Sequence, residues 1–206
     1  MKKLFLTSYA CKTISLINPL LPKPANQLKA AFVPTAGDPY EDKDFVYVDR
    51  EALVDIGISV VDIDLKATKH KELENTLSQV DLVLVAGGNT FYLMDKIKES
   101  GFDTIVKKRI KAGLIYIGSS AGSIVCCPTI DGAKQFDDPS DAPNLTDYFG
   151  LNLFDKIIIP HAHKEKYFER IKSTTQRMEQ QGYEVVTLTD DQAIIIDNQD
   201  VKLVSN

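Results

Sequence analysis

Three times in this chain a segment with helical spacing ends at a glycine and runs straight into an apolar stretch: at Gly57, Gly113 and Gly182. Glycine suits the position just past a helix end, where the backbone turns through the left-handed region. A short apolar run after it reads as a strand. Alternation of this kind implies right-handed βαβ crossovers and a mostly parallel, doubly wound sheet with helices on both faces. The runs that are apolar throughout, Leu82–Val85 and Leu114–Ile117, suit the covered middle of such a sheet.

The remaining segments extend that pattern. Lys3–Ser8, Ala30–Pro34, Ile58–Leu65, Asp81–Ala86 and Lys156–Ile159 read as further strands. Helices are expected over Thr13–Leu21, Asp44–Asp55, His70–Val80, Asn89–Ser100, Asp103–Ala112 and Glu165–Gln181. Pro22 and Pro24 stop the first of these. Three short closing strands, Tyr183–Leu188, Gln192–Ile196 and Val201–Val204, are expected to form an antiparallel appendage at the C-terminal edge. Between Pro128 and Gly150 lies a loop rich in Asp, Pro and Gly, and a loop of that length inside one domain is usually functional. At 206 residues the chain is read as a single α/β domain spanning 1–206. The formal charge of −5 disfavours a nucleic-acid or anionic-membrane partner. No apolar run approaches the roughly 18 residues of a membrane span. Three cysteines, two of them adjacent at Cys126 and Cys127, do not read as a disulfide framework, and the expected location is cytoplasmic.

The chemistry concentrates at strand ends, where open α/β sheets bind their ligands. Leu114–Ile117 leads into Gly118-Ser119-Ser120-Ala121-Gly122 and then a helix-compatible segment. Gly118 and Gly122 flank Ser120 at the G-x-S-x-G spacing of a nucleophile elbow, a sharp strand-to-helix bend that lifts a serine hydroxyl clear of the sheet. After Asp81–Ala86 comes Gly87-Gly88-Asn89-Thr90. Glycines there let backbone N–H groups approach a ligand, and Asn89 is placed either to meet substrate or simply to cap the next helix. After Lys156–Ile159 comes Pro160-His161-Ala162-His163. An imidazole there can act as general base to a serine, although a surface histidine gives the same pattern. Neither cysteines nor a third histidine at ligand spacing supports a metal site, and neither a metal nor a cofactor is expected. Two acidic pairs compete to orient the imidazole: Asp137-Asp138 and Asp190-Asp191.

Taken together in this order, AGGNTF, GSSAGSIVCCPTI and IIPHAH resemble the peptidase E family, serine aspartyl dipeptidases related to cyanophycinase, over nearly the whole chain. The resemblance implies a flavodoxin-like fold akin to class I glutamine amidotransferases, with serine replacing their cysteine. It implies Ser120 as nucleophile, His161 as base, and the backbone N–H groups of Gly88 and Ala121 as oxyanion donors. It matches Asp191 to the orienting acid, with Asp137 as the alternative. In the family, basic side chains after the histidine meet an N-terminal aspartate; Lys164, Lys166 and Arg170 lie in that segment, although the family's basic motif is not reproduced. The implied activity is hydrolysis of small peptides by a serine dipeptidase, with Asn89 and Arg170 as substrate contacts. Two other readings remain open at this point: an esterase using the same elbow, and a noncatalytic flavodoxin-like module binding a nucleotide or peptide.

Overall fold

A computed structural model covers residues 1–206. Its strands are β1 (Lys3–Thr7), β2 (Lys29–Val33), β3 (Ser59–Asp62), β4 (Leu82–Val85), β5 (Ile115–Ser119), β6 (Ile157–Ile159), β7 (Val185–Thr187), β8 (Gln192–Asp197) and β9 (Asp200–Ser205). Its α-helices are α1 (Ala10–Thr13), α2 (Asp44–Asp55), α3 (His70–Ser78), α4 (Thr90–Ser100), α5 (Phe102–Lys111), α6 (Ala121–Ile124) and α7 (Phe168–Gln180). None of these helices is long and apolar enough to cross a membrane.

Seven strands form one sheet in the order β3-β2-β4-β5-β1-β8-β9. From β3 to β1 the pairing is parallel, and β8 and β9 add antiparallel at one side. The two-residue period of a strand divides the core between the faces. Leu4 and Leu6 of β1 pack with Leu73, Phe91 and Phe102, from α3, α4 and α5. Phe5 between them packs the other way, with Ile17, Phe32 and Leu53. Both faces are therefore covered, as the uniformly apolar strands require.

The closing segment differs from expectation in its arrangement. The antiparallel strands β8 and β9 continue the main sheet, whereas β7 pairs parallel with β6 in a separate two-stranded sheet. Segment ends also differ. Only Ala10–Thr13 is α-helical in the first helical region, and Ile14–Leu20 is a 3₁₀ helix with Pro19 inside it. Proline there removes a backbone donor and disfavours the regular α spacing. The edge strand β3 ends at Asp62, short of Leu65; the Ile63 N–H still donates to the Phe32 carbonyl (2.8 Å), and β2 itself ends at Val33.

The parallel register puts the chemistry at one edge. Thr7 is level with Ser119, and Val85 is level with Gly118. The chain therefore leaves β1, β4 and β5 side by side, delivering Ser8, Gly87-Gly88 and Ser120. Close packing at the third exit depends on Gly122, where a Cβ would overlap the carbonyl oxygen of Val85. Gly122→Ala is expected to lower stability by about 1–3 kcal/mol through forced backbone movement. Thermal unfolding should register this as a fall of about 2–4 °C per kcal/mol for a chain of this size; an unchanged midpoint would refute the tight contact.

Candidate active site

Ser120 occupies the corner between β5 and α6 with φ 49° and ψ −109°, a conformation that side-chain-bearing residues rarely adopt. Several hydrogen bonds hold the corner. The Ser120 N–H donates to the Thr7 carbonyl (2.9 Å), and the buried Tyr116 hydroxyl donates to the Gly122 carbonyl (2.7 Å). Ser123 Oγ accepts from the Thr7 N–H (2.9 Å) and lies 2.8 Å from the carbonyl oxygens of both Thr7 and Gly118, donating to one of them. The elbow is thus tied to the end of β1.

The same elbow helix anchors the segment that brings His161 toward Ser120. Carbonyls at the end of α6 accept from the backbone that precedes β6: Val125 from Leu151 (2.7 Å), and Cys126 from Leu153 (2.8 Å) and Phe154 (3.0 Å). Cys127 Sγ accepts from the Ile158 N–H of β6 itself (3.3 Å). The two buried cysteines therefore act as packing and acceptor groups beneath the elbow, and burial pushes both thiols up, away from the reactive thiolate.

At the end of β6, His161 turns with φ 62° and its Nε2 lies 3.1 Å from Ser120 Oγ. At the end of the paired strand β7, Asp190 Oδ1 lies 2.6 Å from His161 Nδ1. In that short contact Nδ1–H donates to the carboxylate, which leaves Nε2 as the basic nitrogen facing the serine. Ser8 completes the arrangement. Its hydroxyl donates to Asp190 Oδ1 (2.7 Å) and accepts from the His161 backbone N–H (2.8 Å). Lys164 Nζ and His163 Nε2 lie 3.4 and 3.5 Å from Asp190 Oδ2. Burial works against charge on Asp190, but the hydrogen bonds from His161 and Ser8 and the nearby Lys164 hold its carboxyl well below the usual carboxylate range.

The structure sets Asp190, and not the expected Asp191, against the His161 imidazole. Asp191 is exposed and accepts from its own turn's Thr189 hydroxyl, while Asp190 is buried against the imidazole. Neighbouring residues in an extended turn point opposite ways, so motif spacing alone does not choose between them. Asp137 is also not the imidazole's partner: its Oδ2 accepts from Thr90 N–H (2.9 Å) and Thr90 Oγ1 (2.5 Å). Asn89 is fully committed as the cap of α4, accepting from Phe91 (2.9 Å) and Tyr92 (3.0 Å) and donating to Asp138 and Asp141. It is therefore corrected from substrate contact to structural cap. Arg170 is exposed, and its guanidinium donates to the Gln135 carbonyl (3.3 Å). Gly88 lines the cleft beside Ser120, at φ 144° and with its N–H donated to no backbone carbonyl. Ala121 opens α6, where an N–H has no partner within its own helix. Ser8 had a signal in the sequence that went unread, because it directly follows an apolar strand at the ligand-binding edge.

These groups border a cleft of about 500 Å³, within the range of small-molecule sites. Comparison with known proteins matches this architecture throughout: the model of peptidase family S51 fits residues 4–204. The chain belongs to peptidase family S51. This S51 peptidase is 35% identical over 164 residues to an uncharacterised peptidase of Listeria innocua, covering 78% of this chain and 77% of that one. It is 37% identical over 150 residues to a peptidase E of Salmonella arizonae, covering 68% of this chain and 60% of the relative. Among solved structures, a candidate peptidase E from Listeria monocytogenes EGD-e superposes with a TM-score of 0.92 at 30% identity, over 100% of this chain and 99% of the other. A peptidase from an acI-B1 actinobacterium shares the fold, with a TM-score of 0.73 at 15% identity, over 100% of this chain and 88% of that one.

Ser8→Ala in this S51 peptidase strands the His161 N–H and removes one of the two hydrogen bonds to Asp190 Oδ1. A loss of about 1–3 kcal/mol is expected at neutral pH. A depressed carboxylate adds stability above the ordinary carboxylate pKa of about 3.9 and loses it as pH falls toward the folded value. Weakening that depression removes stability only where the carboxylate is charged. The gap between wild type and variant in urea unfolding should therefore be fully present from pH 7 down to about pH 3, where the folded carboxylate is still charged, and should close only in stronger acid as the folded value is reached. A gap that does not depend on pH would remove Ser8 from the carboxylate's support.

Proposed function

We propose that this peptidase is a serine hydrolase of dipeptidase type acting on small peptides, with Ser120 as nucleophile, His161 as base and Asp190 as the acid that orients it. The observation that carries the reading is the continuous hydrogen-bonded line Ser120 Oγ, His161, Asp190, at 3.1 and 2.6 Å. These lengths fit a nucleophile within reach of a base that is itself aligned by a third group.

In this reading His161 Nε2 takes the Ser120 proton as the oxygen attacks the peptide carbonyl carbon. The carbonyl oxygen becomes an oxyanion that accepts from the N–H groups of Gly88 and Ala121. Each such donor is worth about 10² to 10³ in rate. The C–N bond then breaks as His161 returns the proton to the leaving amine. Water, deprotonated by the same imidazole, attacks the acyl-serine and restores the enzyme. The buried Asp190 stabilises the imidazolium formed in each half.

The chain order serine, histidine, acid argues against the esterase alternative, since α/β-hydrolases run serine, acid, histidine. Reaction with a fluorophosphonate separates a hydrolase from a binding module: a stoichiometric adduct on Ser120, absent in Ser120→Ala, is expected, and no adduct would sink the reading. Within the site, Asp190→Asn should lower kcat on a cleaved dipeptide by about 10⁴, the loss seen when such an acid becomes an amide. Asp191→Asn should leave kcat near wild type. The reverse ranking would return the role to Asp191.

A further inference from the structure

The cleft beside Ser120 carries a chemistry that proton transfer does not use. Two edge-to-face aromatic pairs line it. Tyr40, in the loop after β2, and Phe45, in the first turn of α2, have ring centroids 5.4 Å apart at 85°. Phe136 and Tyr167, from segments before and after β6, have centroids 5.7 Å apart at 79°. The second pair adjoins the reacting groups, because Tyr167 lies 6.5 Å from the His161 ring. Such rings offer large, stiff apolar surface to a flat or bulky side chain.

The charges of the lining are unevenly satisfied. Lys164 is drawn to Asp190 at 3.4 Å, and Lys166 sits over the Tyr167 ring at 4.8 Å. No arginine lines the cleft. Asp49 and Asp137 both line it without a cationic partner. Asp49 is sealed beneath the floor, accepting from the Cys11 N–H at 2.7 Å with 1% of its surface exposed. Asp137 differs, because Thr90 occupies only Oδ2 and Oδ1 makes no hydrogen bond within the chain. Burial raises its pKa against the pull of the Thr90 hydrogen bonds and of the nearby His161. Burial and then the negative charge of Asp137 push the neighbouring Tyr40 phenol up to about 12. A carboxylate in no ion pair and with one oxygen free, beside aromatic walls, suits an ammonium ligand and disfavours a second carboxylate.

We propose that this cleft selects short peptides whose free α-ammonium group is held by Asp137 Oδ1 and whose N-terminal side chain is aromatic or large and aliphatic, in preference to N-terminal aspartate. The reaction rests on the peptidase reading above, but the recognition does not need turnover. Titration calorimetry with Ser120→Ala separates the two. Phe-Ala should bind at least about tenfold more tightly than Asp-Ala and than N-acetyl-Phe-Ala, a difference equal to one charged hydrogen bond. In that background Asp137→Asn should abolish the preference for the free amine and keep the preference for Phe. Phe136→Ala should do the reverse. If Asp137→Asn does not fold, the acetylated peptide against Ser120→Ala alone decides the ammonium contact. Equal or tighter binding of Asp-Ala or of the acetylated peptide overturns the proposal, and so does failure of Phe-Ala to bind. Selective binding of Phe-Ala without its cleavage by the wild type would instead overturn the peptidase reading and leave the recognition standing.

Discussion

The backbone bend at Ser120 is the constraint on which the rest depends. A residue held at φ 49° and ψ −109° costs about 1–3 kcal/mol and persists only where its surroundings over-determine it. Here the surroundings are specific. Gly118 and Gly122 let β5 and α6 close on each other and on β4, since a Cβ at either would overlap backbone. Ser123, Tyr116 and the Thr7 carbonyl fix what the glycines permit. With only four residues, α6 has little stability of its own. It is held by tertiary hydrogen bonds at both ends, which makes the elbow a property of the whole sheet.

Those same bonds explain how a histidine forty-one residues later in sequence meets the serine. The α6 carbonyls hold the segment entering β6, and the parallel pairing of β6 with β7 sets Ile159 level with Thr187. Two chain exits then leave the small sheet together, one bearing His161 and the other Asp190. The Leu188 N–H donates to Ile159 (2.9 Å) and the Ala162 N–H to Leu188 (2.9 Å), carrying the pairing past the strands. Directly afterwards β8 returns to pair antiparallel with β1, Ala193 opposite Thr7. Ser8 therefore stands where the main sheet and the small sheet meet, with its hydroxyl bonded to Asp190 and to the His161 backbone. A hydroxyl with one donor and two acceptor sites suits that junction.

Much of this was legible in the sequence because it is written in local chemistry. Helix–glycine–strand punctuation gave the parallel sheet, and the spacing of Gly118, Ser120 and Gly122 gave the bend. Contacts set by register were not legible. Whether Asp190 or Asp191 faces the imidazole depends on the parity of a turn, which one residue of slip would invert. Asn89 carries the composition of a ligand contact and the hydrogen bonds of a helix cap. A polar residue at a helix start satisfies both descriptions until its partners are seen. The pairing of β6 with β7 joins segments more than twenty residues apart, and no sequence period announces it.

The order of the three polar residues along the chain follows from that pairing. In an α/β-hydrolase all three positions hang from one sheet, and the acid precedes the histidine. Here Ser120 hangs from the large sheet, while His161 and Asp190 leave adjacent strands of a small one, so the aspartate follows the histidine. A doubly wound sheet alone predicts neither order, and many chemistries share it. The functional reading therefore rests on where the two sheets touch: at Ser8, beneath the elbow at Cys127, and at the 3.1 Å gap between Ser120 and His161. The short segment 151–154, bonded to Val125 and Cys126 just past α6, and the apolar core that β6 shares with β1 and β4 hold the two sheets together.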